Sequence, residues 1–411
     1  MLEFLSLGLA PVWLHQMGVL KPMPSPPLGL SFPLGLRPVD PVASTLLAQF
    51  VQQYDRPGLT PDDQGLWVQT DRQLLGNHQG DLPLPAASLT KVATTLAALK
   101  TWKPHHRFVT QVYHTGTLRE GELQGDLVLV SQGDPSWGWP GVIQMAQTLQ
   151  QRGIRQIQGN LVIVGSFTWA GKADVQDLGA QVLAGFNVQT WPLEATMAYD
   201  KMSSTMPPPQ LRVTGQIQTA VQVPENASWL MRQDSPPLHE LLRHLNVESE
   251  NILAEQLVAQ MGGMAAMLTR LQEVVAVPVT EIQLQNGSGL GVDNRLSPRA
   301  VVGLFQALDR HLQHYDLALA DVLPVAGQDL GTLEERQLPP GTIVKTGSLW
   351  NVSALAGGLP TLTHGWVWFA FINGGDNLSG FRRDQDALLQ ALQQQWGSVT
   401  MPPHSALTQP K

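Results

Sequence analysis

The order of elements along the 411-residue chain predicts a mixed α/β (α+β) protein in which one domain is interrupted by another. Three observations carry this reading. The first folded stretch mixes a helix with strands. The middle is a series of short strands bounded by glycine. The last third runs from helices into strands. An outer domain split by a β-rich insertion produces that order.

The elements follow in sequence. Phe4 to Leu20 is mostly apolar but is interrupted by Pro11, His15 and Gln16, and its early charge is Glu3 rather than a cation. That pattern suits either an amphipathic, docked segment or a divergent export signal better than a spanning helix, which needs about 20 apolar residues. Lys21 to Pro38 holds six prolines and reads as an extended linker. Val42 to Tyr54 has helical periodicity. Leu66 to Leu75 alternates as strands do, and Asn77 to Gly80 has turn chemistry. Ala86 to Trp102 is the strongest helix, with Pro85 before it and Pro104 after it. The middle carries FVTQVYHTG, GDLVLVSQG and GNLVIVGSF, each a short β-rich run ending in a turn. Helical patterns return at Leu238–Ala265 and at Pro298–Ala320. Gly341–Lys345, Val352–Gly358 and Trp366–Ile372 read as strands, and Asp384–Trp396 as a closing helix. The expected divisions are an N-terminal segment and linker at 1–40, an outer domain at 41–115 and 225–396, an inserted β-rich domain at 116–224, and a loose tail at 397–411.

Bulk composition narrows the function. Hydrophobic residues make up 43% of the chain and charged residues 14%, as in a globular protein with a sizeable core. A net charge of −8 argues against nucleic acid as a partner. The chain has no cysteine, which removes disulfides and thiolate metal sites.

Three short motifs carry chemistry. In Ser88-Leu89-Thr90-Lys91 the first and last residues share a helix face, so a hydroxyl and an amine lie side by side. Serine is a poor nucleophile until a base takes its proton, and a lysine can be that base if burial or a second cation lowers its pKa. Ser249-Glu250-Asn251 can present a hydroxyl and an amide to one cleft, but the same tripeptide suits a helix N-cap on Ser249 or Asn251. Lys345-Thr346-Gly347 follows a strand-like run. It offers a cation, a hydroxyl and a glycine that lets a ligand approach the backbone. Each motif alone is weak. All three in this order form the Ser-x-x-Lys, Ser-x-Asn, Lys-Thr-Gly set of penicillin-binding proteins and serine β-lactamases.

The chain further resembles the D-alanyl-D-alanine carboxypeptidase/endopeptidase family, the class C low-molecular-mass penicillin-binding proteins. PAASLTKVATTLAAL, GDLVLVSQGDPSW, SENILAEQL, NGSGLGVDNRLSPRA, LPVAGQDLGTL and KTGSLWNVSALAG resemble its blocks in order, over roughly 40–395. Asn286 stands where the family commonly has aspartate, and Ser348 where it commonly has threonine. The resemblance implies an antiparallel sheet flanked by helices, a transpeptidase-like fold, and the cleavage of D-alanyl bonds in peptidoglycan stems through an acyl-enzyme. It implies Ser88 as nucleophile, Lys91 as its base, Ser249 as a proton relay and Lys345 as the cation that holds down the charge of Lys91. Asn251 would bind a substrate amide. Lys345 and Thr346 would hold the terminal carboxylate beside Gly347, and the backbone N–H groups of Ser88 and Ser348 would take the oxyanion. No metal or cofactor is implied. The implied partners are peptidoglycan stems and, as covalent inhibitors, β-lactams. The implied location is the periplasm or cell envelope, with peripheral membrane contact open to the apolar N-terminus.

Other signals are weaker. Gly287-Ser288-Gly289-Leu290-Gly291 imitates a dinucleotide loop but has the wrong glycine spacing and reads as a turn. His105-His106 diverge and make a poor metal site. Twelve tryptophans suit core and interface positions. Two other functions share the motifs. One is a β-lactamase, against which the insertion argues. The other is a catalytically silent peptidoglycan-binding protein, against which intact Ser88, Lys91 and Lys345 argue.

Overall fold

A computed structural model describes residues 40–399 except 57, 203 and 204. The apolar segment, the proline-rich linker and the tail from 400 lie outside the described residues. Helix α1 (Pro41–Gln52) opens the described chain. Asp40 caps it by accepting from the N–H groups of Val42 and Ala43, and Pro41 sits where its missing N–H does no harm. Strands β1 (Gln64–Thr70) and β2 (Leu74–His78) follow, then helix α2 (Thr90–Thr101). Every residue of α2 from Thr90 to Leu99 is buried. A helix enclosed on all sides is the centre of its domain, not a surface element.

Between α2 and the next outer helix the chain builds a second sheet. Its strands are β3 (Val109–His114), β4 (Leu127–Gln132), β5 (Leu161–Ser166), β6 (Ile217–Ala220) and β7 (Ser228–Asp234), in the order β6-β5-β4-β3-β7. The bounds 116 and 224 cut through this sheet. β3 and β7, placed outside the insertion by those bounds, pair with each other, and β3 also pairs with β4. Glycines marked the turns within the sheet rather than its ends. The ends themselves meet, since Ser235 N–H donates to the Phe108 carbonyl at 2.9 Å and Ser235 Oγ accepts from Phe108 N–H at 2.9 Å.

The insertion is also less purely β than its glycine-bounded strands suggest. It contains helices α3 (Trp139–Gln151), α4 (Val175–Gly185) and α5 (Leu193–Lys201). β4, β5 and β6 run parallel. Parallel neighbours cannot be joined by a tight turn and need a crossover of a dozen or more residues, which is where these helices sit. Their apolar faces close a separate core with Leu129, Val142, Met145, Ile163 and Val182.

After β7 come helices α6 (Leu238–Val247), α7 (Asn251–Gln260), α8 (Gly263–Gln272) and α9 (Pro298–Gln313), strands β8 (Ile343–Leu349), β9 (Val352–Thr361) and β10 (Gly365–Gly374), and helix α10 (Leu378–Trp396). The outer sheet has the order β8-β9-β10-β1-β2, antiparallel throughout. Its two faces fill two cores by strand alternation. One face, with Ala354, Ala370 and Ile372, packs against α2 and α9 through Leu96, Val301 and Phe305. The other, with Leu66, Phe369 and Phe371, packs against α1 and α10 through Phe50, Leu389 and Trp396. The Lys-Thr-Gly segment lies on β8, the edge strand, beside the start of the α2 unit.

Candidate active site

Ser88 does not begin α2 itself. It lies in a single 3-10 turn, Ala87–Leu89, that runs into the helix. Tightening the turn still leaves Ser88 and Lys91 adjacent, and Lys91 Nζ donates to Ser88 Oγ at 2.9 Å. The same ammonium donates to Asn251 Oδ1 at 2.7 Å and to the Ser288 carbonyl at 2.8 Å. Its three protons therefore have three neutral oxygen acceptors, and Lys91 is fully buried. Burial lowers its pKa to about 8, against the opposing pull of the Glu255 and Glu250 carboxylates.

Lys345 is the second fully buried lysine. Its Nζ donates to Ser249 Oγ at 3.2 Å and to the Thr346 carbonyl at 2.9 Å. Burial, and secondly the charge of Lys91, push it well below an ordinary lysine. The fold thus gathers Ser88, Lys91 and Asn251 into one hydrogen-bonded group and Ser249 and Lys345 into a second, close enough for the charge of Lys91 to act on Lys345. Thr346 and Ser348 alternate to the opposite face of β8 from Lys345, toward α10. Gly347 lies against the turn that carries Ser88, where an added Cβ would stand 3.0 Å from the Ala86 carbonyl oxygen and 3.1 Å from Ala87 Cβ.

The cap of α7 belongs neither to Ser249 nor to Asn251. Glu250 is the N-cap and accepts from Ile252 N–H. Ser249 is released from capping and held in the left-handed region at φ 57°, while Ala87, just before Ser88, has φ 47°. Left-handed conformations in residues with a Cβ cost of order 1–3 kcal/mol and cluster at functional sites.

Several contributors were not foreseen. The NGSG segment is a turn, but its Ser288 carbonyl accepts from Lys91. Glu255 accepts from the N–H groups of Gly287 and Ser288 at 3.1 and 2.8 Å, and Thr94 Oγ1 donates to the Gly287 carbonyl at 2.7 Å. Glu255 lies four residues after Asn251, on the same helix face, which is the signal that could have found it. Gly289, at φ 78°, presses so close to the turn that carries Ser88 that an added Cβ would stand 1.9 Å from the Ala87 carbonyl oxygen.

Comparison with known proteins places the chain among penicillin-binding carboxypeptidases. Carboxypeptidase DacB of Mycolicibacterium smegmatis is 28% identical over 416 residues, spanning 90% of this chain and 89% of its own length. D-alanyl-D-alanine carboxypeptidase DacB of Haemophilus influenzae is 23% identical over 401 residues, 74% of this chain and 83% of its own. Among solved structures, a predatory endopeptidase of Bdellovibrio bacteriovorus superposes with a TM-score of 0.70 at 20% identity, covering 83% of this chain and 95% of that one. The endopeptidase is also known in a form acylated by penicillin G. Penicillin binding protein 4 of Haemophilus influenzae superposes with a TM-score of 0.61 at 18% identity, covering 84% and 99%. These likenesses establish the penicillin-binding fold with an additional sheet domain. The model of the D-Ala-D-Ala carboxypeptidase 3 (S13) family matches residues 46–198 and 194–395, through α2, the insertion and the Lys-Thr-Gly strand, and the chain belongs to that family.

Proposed function

We propose that Ser88 is the nucleophile with which this serine D-Ala-D-Ala carboxypeptidase/endopeptidase forms its acyl-enzyme. One observation carries the assignment: a buried lysine with a lowered pKa lies 2.9 Å from the Ser88 hydroxyl. In the neutral amine that contact reverses, and the hydroxyl donates to Nζ. Ser88 Oγ then attacks the carbonyl carbon of the penultimate D-alanine while its proton passes to Lys91. The tetrahedral oxyanion is taken by the backbone N–H groups of Ser88 and Ser348, donors fixed where charge develops. The carbon–nitrogen bond breaks as the Ser249 hydroxyl, linked to Lys345, gives its proton to the leaving amine and is reprotonated by the proton that Lys91 took from Ser88. Asn251 carries a further amide nitrogen for the substrate backbone. Water then attacks the ester as Lys91 takes its proton, the bond to Ser88 Oγ breaks with return of that proton to Oγ, and the shortened stem leaves with a new carboxyl group.

The cell envelope is the proposed location, because the substrate lies there. No helix among the described residues is long and apolar enough to cross a membrane. Intact-mass measurement after exposure to benzylpenicillin tests the assignment. The native chain is expected to gain one drug mass, and equal labelling of Ser88→Ala would refute Ser88 as nucleophile. Digestion of purified muropeptides then separates loss of a terminal D-alanine from cleavage of cross-links.

A further inference from the structure

The leaving D-residue brings a carboxylate, and the expected cation for it is Lys345. The geometry places Lys345 elsewhere. Its side chain is fully buried, and its ammonium is committed to Ser249 and to the Thr346 carbonyl, on the α2 side of the strand. One residue of peptide spans about 3.8 Å, so the terminal carboxylate falls within roughly that distance of the attacked carbonyl. With the oxyanion assigned to Ser348 N–H, that distance brings the hydroxyls of Thr346 and Ser348, which face the α10 side, within reach of the carboxylate.

A different cation stands there. Arg382, in the second turn of α10, donates from Nη2 to Ser348 Oγ at 3.0 Å. Ser348 is exposed and Arg382 half-buried, so the pair borders solvent. The carboxylates near Arg382 on its own helix are already engaged, Asp384 by Arg56 and Asp386 by Arg336. Among the described residues Arg382 takes part in no ion pair with an aspartate or glutamate. A guanidinium is a permanent charge whose planar fork matches a carboxylate.

Resting on the peptidase reading, we propose that Arg382, beside Ser348, binds the terminal α-carboxylate of the leaving D-residue and makes a free carboxylate a requirement of the substrate. Thr346 and Ser348 supply the hydroxyls on the same strand face. Lys345 serves the Ser249–Lys91 cluster beneath.

The test compares kcat/KM for N-acetylated Lys-D-Ala-D-Ala as the free acid and as its C-terminal amide, in the native chain, Arg382→Gln and Arg382→Lys. The native chain is expected to prefer the acid. Arg382→Gln is expected to lose about 10- to 150-fold on the acid, the range of a charge-assisted hydrogen bond, and about 2-fold or less on the amide. Arg382→Lys, a point charge without the fork, is expected to fall between. An acid-to-amide ratio unchanged in Arg382→Gln, whether both rates fall or neither does, overturns the inference. Should Arg382→Gln fail to fold, the ratio in Arg382→Lys decides in the same way. A native chain that cleaves neither peptide overturns the peptidase reading, and the inference with it. Cleavage of both with no change of ratio overturns the inference alone.

Discussion

With Lys91 as the proposed base for Ser88, acylation should rise with pH and level off above about 8. The magnitude follows from burial. An ordinary lysine at 10.5 is neutral about once in 3,000 molecules at pH 7, whereas one at about 8 is neutral about once in 10, a gain of roughly 300-fold in the reactive form. Below pH 8 the rate constant for acylation by benzylpenicillin should therefore climb about tenfold per pH unit, then bend and flatten. Rapid quenching followed by intact-mass analysis between pH 6 and 10 reads this directly. The same shift has a signed effect on stability. The folded pKa lies below the unfolded one, so between about 8 and 10.5 the unfolded chain binds more protons. The Lys91 contribution to stability thus rises with pH across that window by about 3 kcal/mol, and below it the buried ammonium is a standing penalty. Lys91→Ala should acylate about 100-fold more slowly or worse, with no bend near 8. A native profile flat from pH 6 to 10, or a midpoint near 10.5, would refute the argument that burial tunes this base.

Three further outcomes follow from the same contacts. Glu255→Gln removes an anion that raises the Lys91 pKa, so the midpoint of the acylation profile should move below 8; an upward shift would contradict the electrostatic assignment. Gly289→Ala forces a Cβ onto the Ala87 carbonyl at a left-handed position and should destabilise the protein by about 2–4 kcal/mol in urea unfolding, with acylation lost in parallel; native stability would mean that the loop moves freely. Replacing residues 109–234 with a short flexible linker should leave a chain that still takes up benzylpenicillin, because Phe108 and Ser235 are already hydrogen-bonded neighbours; loss of folding by circular dichroism would show that the outer domain depends on the insertion.

How far the site could be read from sequence depended on what kind of atom makes each contact. The clustering of Ser88, Lys91, Ser249, Asn251 and Lys345 was legible because it is made by side chains and helix spacing fixes the first pair. The Ser288 acceptor was not, because a backbone carbonyl carries no residue-type signal and its segment reads only as a turn. Arg382 lies 34 residues from Ser348, and their contact depends on how α10 lies across the sheet, which no local pattern encodes. The outer fold was legible through periodicity. The bounds that differ are those of the insertion, which fell inside its sheet, and the start of the closing helix. Gly380 sits in the first turn of α10 under an Asn377 cap, so the helix starts six residues before Asp384. In the insertion the strands were visible but the crossover helices were not, although Val142, Met145, Ala146 and Leu149 carry helical spacing.

The pairing of the two buried lysines explains why Glu255 sits where it does. Neither Lys91 nor Lys345 has a carboxylate in salt-bridge contact among the described residues; each donates to hydroxyl, amide or carbonyl oxygens. Neutral acceptors satisfy the geometry of an ammonium without neutralising its charge, so desolvation still lowers both pKa values, and the charge of Lys91 lowers that of Lys345 further. A carboxylate in direct contact would restore an ordinary, protonated lysine and remove the base. Glu255 is held one step back. Its two oxygens take the N–H groups of Gly287 and Ser288, and the loop it fixes turns the Ser288 carbonyl onto Lys91. The carboxylate thereby orients the acceptor of the base while its charge is engaged by backbone donors. Moving that carboxylate into contact with the ammonium would keep the architecture and lose the reactivity.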